Sequence, residues 1–182
     1  MKSITNSITS SQYIQSLAFD YVETFSLQRG DEYEAAIQAL KPERSKLKVR
    51  KEKGNNLSET EEIRLNELDA LLSVTQYLID DTGRFHFSSQ RTNTFQYGNE
   101  AISLLKNILL TKTTDVSNWM CAPIYRDAIV FYKSSGEIVS ALNICLSCEV
   151  MAIGSSCQVV ADCSTYEMLR KFFKDIGHPV ES

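Results

Sequence analysis

The sequence predicts an α+β fold in which N-terminal antiparallel helices are followed by a four-stranded antiparallel meander and a C-terminal helix packed on the sheet. The first half of the chain carries apolar residues at helical spacing between capping signals. The second half carries short runs rich in valine and isoleucine, separated by turn residues. Because helices precede strands without regular alternation, parallel crossover units are not expected.

Two helices are predicted at the start of the chain. Ser10 or Ser11 caps the first, whose apolar residues recur at steps of three and four as far as Phe25. Asp31 caps the second, and Pro42 is expected to kink or restart it.

A third helix is predicted to form a hairpin with the second. Ser58 and Glu61 form a capping box, and leucines in helical rhythm extend to about Asp80, so this helix pairs antiparallel with the one before it. Residues 84–88 suit a short strand or an ordered loop, and Asn99 caps a further amphipathic helix.

The strands are expected after that helix. The apolar runs cover residues 128–132, 138–145, 150–153 and 157–161. Ser164 and Glu167 form a second capping box for the closing helix, and Gly177 ends it. We therefore expect a helix packed on an antiparallel sheet.

Length and composition are typical of a single domain, residues 1–182, with a helical part at about 10–112 and the sheet plus C-terminal helix at about 117–178. The apolar fraction is 43% and the charged fraction 23%, as in ordinary globular proteins. The net charge of -4 argues against general nucleic-acid binding. Met1–Ser11 lacks the apolar core of an export signal, which favours a cytoplasmic protein or a mature form that is already trimmed.

Two segments need separate interpretation. Residues 138–161 are long enough to span a bilayer, but their serines, Asn143 and Gln158 favour buried strands over a membrane span. Residues 41–53 carry seven lysines and arginines and only two glutamates. This basic run suits contact with an acidic partner or RNA, but a solvated helix end beside the acidic Glu59–Glu62 segment explains it more simply.

All five cysteines lie between Cys121 and Cys163, and Cys145 and Cys148 form a Cys-x-x-Cys pair. The odd number favours free thiols or a metal over a disulfide framework. A zinc site would use Cys145, Cys148 and Cys121, but a second Cys-x-x-Cys pair is missing. Dithiol redox chemistry usually places the first cysteine at a helix N-terminus, whereas strand is predicted here. The simplest interpretation is that the thiols pack as small apolar side chains.

Other catalytic signatures are weak. A cysteine hydrolase would need His86 or His178 beside a thiol, and both suit surface or core-edge positions better than the role of a base. The sequence contains no glycine-rich phosphate loop.

Three strings in the C-terminal third carry a resemblance to a known family. They are Cys121 with Pro123 and Arg126 before Asp127–Phe131, then Ile144–Cys148, and last Leu169–Gly177. Together they resemble a family of small uncharacterised bacterial proteins, mostly from Bacteroidota, over residues 119–178. The family pattern has Pro-Arg and Ile-Cys-Phe-x-Cys, whereas this chain has Ile124 and Tyr125 after Pro123, and Leu146 in place of Phe. The resemblance implies a fold module and no particular activity.

The functional expectation is a non-enzymatic domain that binds another protein, of an immunity-like or regulatory kind, without a cofactor. The acidic balance and the missing catalytic sets support it. The alternative is a zinc or thiol redox protein centred on Cys145 and Cys148.

Overall fold

The computed structural model describes residues 6–116 and 122–180. The chain forms two compact units: one comprises the residues up to Leu27 and from Tyr77 onward, and the other comprises Gln28–Gln76. The helices of the described residues are α1 (Ser10–Ser16), α2 (Asp31–Glu52), α3 (Glu59–Leu71), α4 (Glu100–Leu109) and α5 (Cys163–Asp175). The strands are β1 (Asn6–Thr9), β2 (Tyr21–Ser26), β3 (Gln90–Gln96), β4 (Asp127–Tyr132), β5 (Ile138–Cys145), β6 (Val150–Ile153) and β7 (Cys157–Val160).

The first unit is built on a mixed sheet with the strand order β1-β7-β6-β5-β4-β2-β3. The pair β1 and β7 is parallel, and the other neighbouring strands are antiparallel. The α+β class is therefore confirmed. The four predicted strands correspond to β4–β7 and lie side by side, but the prediction of a four-stranded antiparallel meander is wrong in detail, because the sheet has seven strands in the described residues and contains a parallel pair.

The first helix is much shorter than predicted. It is capped by Thr9 and stops at Ser16, and the segment predicted to continue it forms β2 instead. This strand lies between β3 and β4, and Val22–Ser26 are all buried. Its β-branched and aromatic residues suit a strand. The segment is a strand because it pairs with β3 and β4, which are distant in sequence. Local hydrophobic periodicity carries no information about such distant partners.

Helices α1, α4 and α5 cover one face of the sheet. Their apolar side chains form the largest core cluster together with alternate strand residues such as Val22, Phe131 and Ile144. The opposite face carries Phe25, Val130 and Tyr132, which cluster with Leu78. The sheet is therefore apolar on both faces at its centre.

The N-terminus of α5 is fixed by Asp162, not by the predicted Ser164–Glu167 capping box. The Asp162 carboxylate accepts hydrogen bonds from the amide and hydroxyl of Ser164 and from the amides of Thr114 and Asp115. The Ser164 hydroxyl and then these two amides hold the pKa of Asp162 well below its usual range. One side chain thus caps α5 and attaches residues 114–115 to it.

The second unit is a helical hairpin. The Ser58–Glu61 capping box is confirmed, and α2 continues through Pro42. Helix α3 ends at Leu71, earlier than the predicted Asp80. The core of this unit is small: its buried apolar side chains are Leu47, Leu65 and Leu68.

The segment weighed as a membrane span, residues 138–161, forms β5, β6 and β7. None of the helices in the described part of the chain has the length and hydropathy needed to cross a bilayer. Residues 84–88 form no strand, and Phe85 makes only an isolated bridge with Ile79.

Candidate functional site

The Cys-x-x-Cys pair lies in the turn between two antiparallel strands. Strand β5 ends at Cys145, β6 begins at Val150, and these two residues are partners in the strand register. The connection is therefore only residues 146–149, and Glu149 has a φ of 52°, in the left-handed region that few non-glycine residues adopt. The turn places Cys148 close to the end of β5.

Both cysteines lie in one apolar cluster. Cys145 is 1% exposed and packs with buried Tyr125 and Ala152, and Cys148 packs against the same cluster. The Cys145 sulfur lies 3.4 Å from the hydroxyl oxygen of Ser147. Bulk solvent therefore has little access to the Cys145 sulfur.

The two cysteines of the pair differ in oxidation state. Cys148 is disulfide-bonded, whereas Cys145 carries a free thiol, so the two are not bonded to each other. For Cys148 this differs from the expectation of free thiols or a metal. Cys121, the third predicted metal ligand, lies outside the described residues. Within residues 6–116 and 122–180, no group of three or more His, Cys, Asp and Glu side chains is arranged to hold a metal ion.

Two buried tyrosines border the cysteine turn. Burial raises the pKa of the Tyr125 phenol above its usual range, and Tyr77 and Cys145 add to the shift. Burial likewise raises the pKa of Tyr166, and Glu149, Tyr125 and the cysteines at 163 and 145 contribute. Neither tyrosine was singled out from the sequence, because nothing in their local pattern distinguishes them from core residues.

Helix α5 holds the turn in place. The Arg170 guanidinium donates a hydrogen bond from Nη2 to the carbonyl oxygen of Leu146, at 3.1 Å. The turn is thereby attached to the helix that packs on the opposite face of the sheet from Cys145.

A second polar cluster lies inside the first unit. His178 is 3% exposed, its Nε2 lies 2.9 Å from Asp127 Oδ1, and its Nδ1 lies 2.7 Å from the hydroxyl of Thr92. The Thr92 hydroxyl also lies 3.0 Å from the carbonyl oxygen of Thr24. A bulge in β3 produces this contact, because the register pairs Thr24 with Asn93 and the next residue of β2 with Arg91, which leaves out Thr92.

This cluster corrects the sequence-based view of His178, which placed it at the surface or core edge. The ring is buried and packs against Phe173, with 4.4 Å between centroids and an angle of 33° between the ring planes. A hydroxyl, an imidazole and a carboxylate in series resemble a hydrolase triad. Here, however, the imidazole has no solvent-exposed surface, which favours a structural role.

His86 is not brought to the cysteines by any described contact. Its Nδ1 lies 2.9 Å from the Ser88 hydroxyl, and burial lowers the pKa of its ring.

The basic segment 41–53 is largely paired with acidic residues of α3. The ion pairs are Arg44–Asp69, Lys48–Asp69, Arg50–Glu61 and Lys51–Glu62. Hydrogen bonding from Arg44 is the main reason that the pKa of Asp69 lies below its usual value. In the described part of the chain, Lys41, Lys46 and Lys53 form no ion pair. The structure thus supports the interpretation of a charged helix packed beside an acidic one.

The fold and the site together define a mixed α+β protein with a helical insertion and a disulfide-bearing Cys-x-x-Cys turn. Comparisons with protein-family models, with curated proteins and with solved structures found no match. The resemblance over residues 119–178 stays a prediction.

Proposed function

We propose that this protein is not an enzyme and acts by binding another protein, in a complex of regulatory or immunity-like type. The observation that carries the proposal is the outer surface of the helical hairpin. Ile63 is 54% exposed and Val49 is 43% exposed, although both are β-branched apolar residues in helices. Such residues are weak helix formers and gain little from facing water.

The orientation of these two side chains supports the proposal. Ile63 is two residues from buried Leu65, and Val49 is two residues from buried Leu47. Two residues correspond to about 200° around a helix, so both side chains point away from the hairpin core. Burial against a partner would remove this apolar surface from water.

The small core of the hairpin also supports the proposal that a partner binds there. Three buried leucines support a unit of residues 28–76. Units of this size rarely obtain more than about 3–5 kcal/mol from one core. A partner that covers further apolar surface would stabilise the hairpin by mass action.

The test uses charge insertion at matched positions. Full-length protein is immobilised and exposed to an extract of the cells that encode it, and captured proteins are quantified by mass spectrometry. Ile63→Lys is compared with Asn66→Lys on the same helix, and Val49→Lys with Ser45→Lys. All four residues are exposed, so folding should persist, which circular dichroism verifies.

The expected result is one partner captured by the wild type and by both controls. Ile63→Lys or Val49→Lys should weaken its binding by about tenfold or more, as expected when a buried apolar contact is replaced by a charge. Absence of any reproducible partner, or equal capture by all variants, would contradict the proposal. The captured protein would also show whether the complex is regulatory or immunity-like.

A cysteine-centred function is the second candidate, and the disulfide at Cys148 favours its redox form. A zinc site would require Cys145, Cys148 and Cys121 as thiolates, so zinc ligation and the Cys148 disulfide exclude each other. Protein purified under reducing conditions and analysed for metal distinguishes them. One zinc per chain would favour the metal site, and metal-free protein that regains the disulfide would favour redox chemistry.

A further inference from the structure

Three features of the cysteine turn belong together. A disulfide sulfur and a free thiol lie three residues apart, both pack in one apolar cluster, and Glu149, directly after Cys148, is a non-glycine residue with positive φ. Thiol–disulfide exchange needs a thiolate that can reach a disulfide sulfur. The turn supplies both reactants within one chain.

We propose that the β5–β6 turn is a thiol–disulfide exchange site, at which the sulfur of Cys145 attacks the sulfur of Cys148 and moves the disulfide onto the Cys145–Cys148 pair. This goes beyond protein binding and does not depend on it. A Cys145–Cys148 bond forms, and the bond from Cys148 to its present partner breaks. The released sulfur keeps the electron pair of the broken bond and takes up the proton that Cys145 loses. The step is redox-neutral and needs no added oxidant.

Chain geometry permits the product. Cysteines separated by two residues form disulfides in Cys-x-x-Cys redox motifs. Cys145 ends β5, and Cys148 is the third of the four residues that connect β5 to β6.

Because Cys145 is buried, we expect its sulfur to react with the Cys148 sulfur and not with reagents in solution. A thiol that is 1% exposed reacts slowly with reagents in solution, but the Cys148 sulfur packs against the same cluster. The Ser147 hydroxyl, 3.4 Å from the Cys145 sulfur, can donate a hydrogen bond to a thiolate there. The hydrogen bond from Arg170 to the Leu146 carbonyl keeps the turn attached while the sulfurs exchange.

The experiment traps the released thiol. Oxidised full-length protein is incubated with iodoacetamide at pH 8 without denaturant, then digested, and its disulfides and alkylated cysteines are mapped by mass spectrometry. In the wild type we expect the Cys145–Cys148 disulfide to accumulate, with the alkyl group on the former partner of Cys148. In Cys145→Ala this product should disappear and the original disulfide should persist.

Cys157→Ala is the matched control, because Cys157 carries a free thiol on β7, outside the turn. It should behave as the wild type does. Circular dichroism and thermal melting verify that Cys145→Ala is folded, and alanine suits the buried apolar cluster. The proposal is overturned if the wild type keeps its original disulfide throughout, if Cys145 itself is alkylated, or if Cys148 is isolated as a thiol. Loss or retention of a captured protein partner leaves this result unchanged, so the two proposals fail separately.

Discussion

Removal of the His178 ring is the sharpest test of the buried polar cluster. The substitution His178→Ala deletes the donor that lies 2.9 Å from Asp127 Oδ1 and the nitrogen that lies 2.7 Å from the Thr92 hydroxyl. It also removes a ring that packs against Phe173. The Asp127 side chain is 2% exposed, so water does not readily replace the lost donor.

The expected loss of stability is large. Breaking a buried pair by removing one partner costs about 3–5 kcal/mol, because the remaining group loses a hydrogen bond that water does not readily replace. For a protein of this length, 1 kcal/mol corresponds to about 2–4 °C in Tm, so Tm should fall by about 6–20 °C. Chemical denaturation followed by circular dichroism measures the free energy of unfolding directly.

Asp127→Asn provides the contrast. The amide oxygen can still accept from the His178 Nε2–H group, and no charge is buried, so the loss should be less than half of that in His178→Ala. The double variant His178→Ala/Asp127→Ala should lose clearly less than the sum of the single substitutions, with a coupling energy of about 1 kcal/mol or more. A loss below about 1 kcal/mol in His178→Ala, or additive losses, would refute this reasoning.

Three further predictions concern α5 and the hairpin. Asp162 has a lowered pKa in the folded state, so its carboxylate stabilises the protein at pH values above the unfolded pKa, near 4. This stabilisation is lost as the pH falls toward the folded pKa. Between pH 7 and 2, Tm should therefore depend less on pH in Asp162→Asn than in the wild type, whereas the exposed control Asp81→Asn should keep the pH dependence of the wild type. The buried Thr165 hydroxyl has no hydrogen-bond partner among the described residues, so Thr165→Val should leave the unfolding free energy unchanged or raise it by up to about 1 kcal/mol in urea denaturation. Leu68→Ala empties part of the small hairpin core at a cost of about 2–5 kcal/mol, so limited proteolysis should cut within residues 28–76, whereas exposed Leu104→Ala should resist.

Sequence reasoning worked where the signal was local. The Ser58–Glu61 capping box, the Asn99 cap and the end of the last helix at Gly177 depend on residues within one helical turn of each other, and the structure confirms each one. It failed at Ser164–Glu167, because the helix is capped two residues earlier by Asp162, which also accepts hydrogen bonds from amides about 47 residues away. Local pattern does not report such distant donors.

In the candidate sites too, local features were predictable from the sequence and tertiary contacts were not. The Cys145–Cys148 spacing is visible in the sequence, so the turn was found. The burial of Cys145 agrees with the interpretation that the thiols pack as small apolar side chains. The disulfide at Cys148 was not predicted, because it depends on which residue the fold brings to the turn. His178, Asp127 and Thr92 share no motif, and the contacts that join them span 51 and 86 residues.

The amino-acid sequence by itself determined the α+β class, the hairpin of α2 and α3, and the strands β4–β7, because capping and side-chain periodicity act within a few residues. The tertiary structure alone decided that Tyr21–Ser26 is a strand, that β1 pairs parallel with β7, and that His178 is buried against Asp127. Those choices depend on hydrogen bonds and apolar burial between distant segments, whose free energy exceeds the weak local preferences of the residues involved.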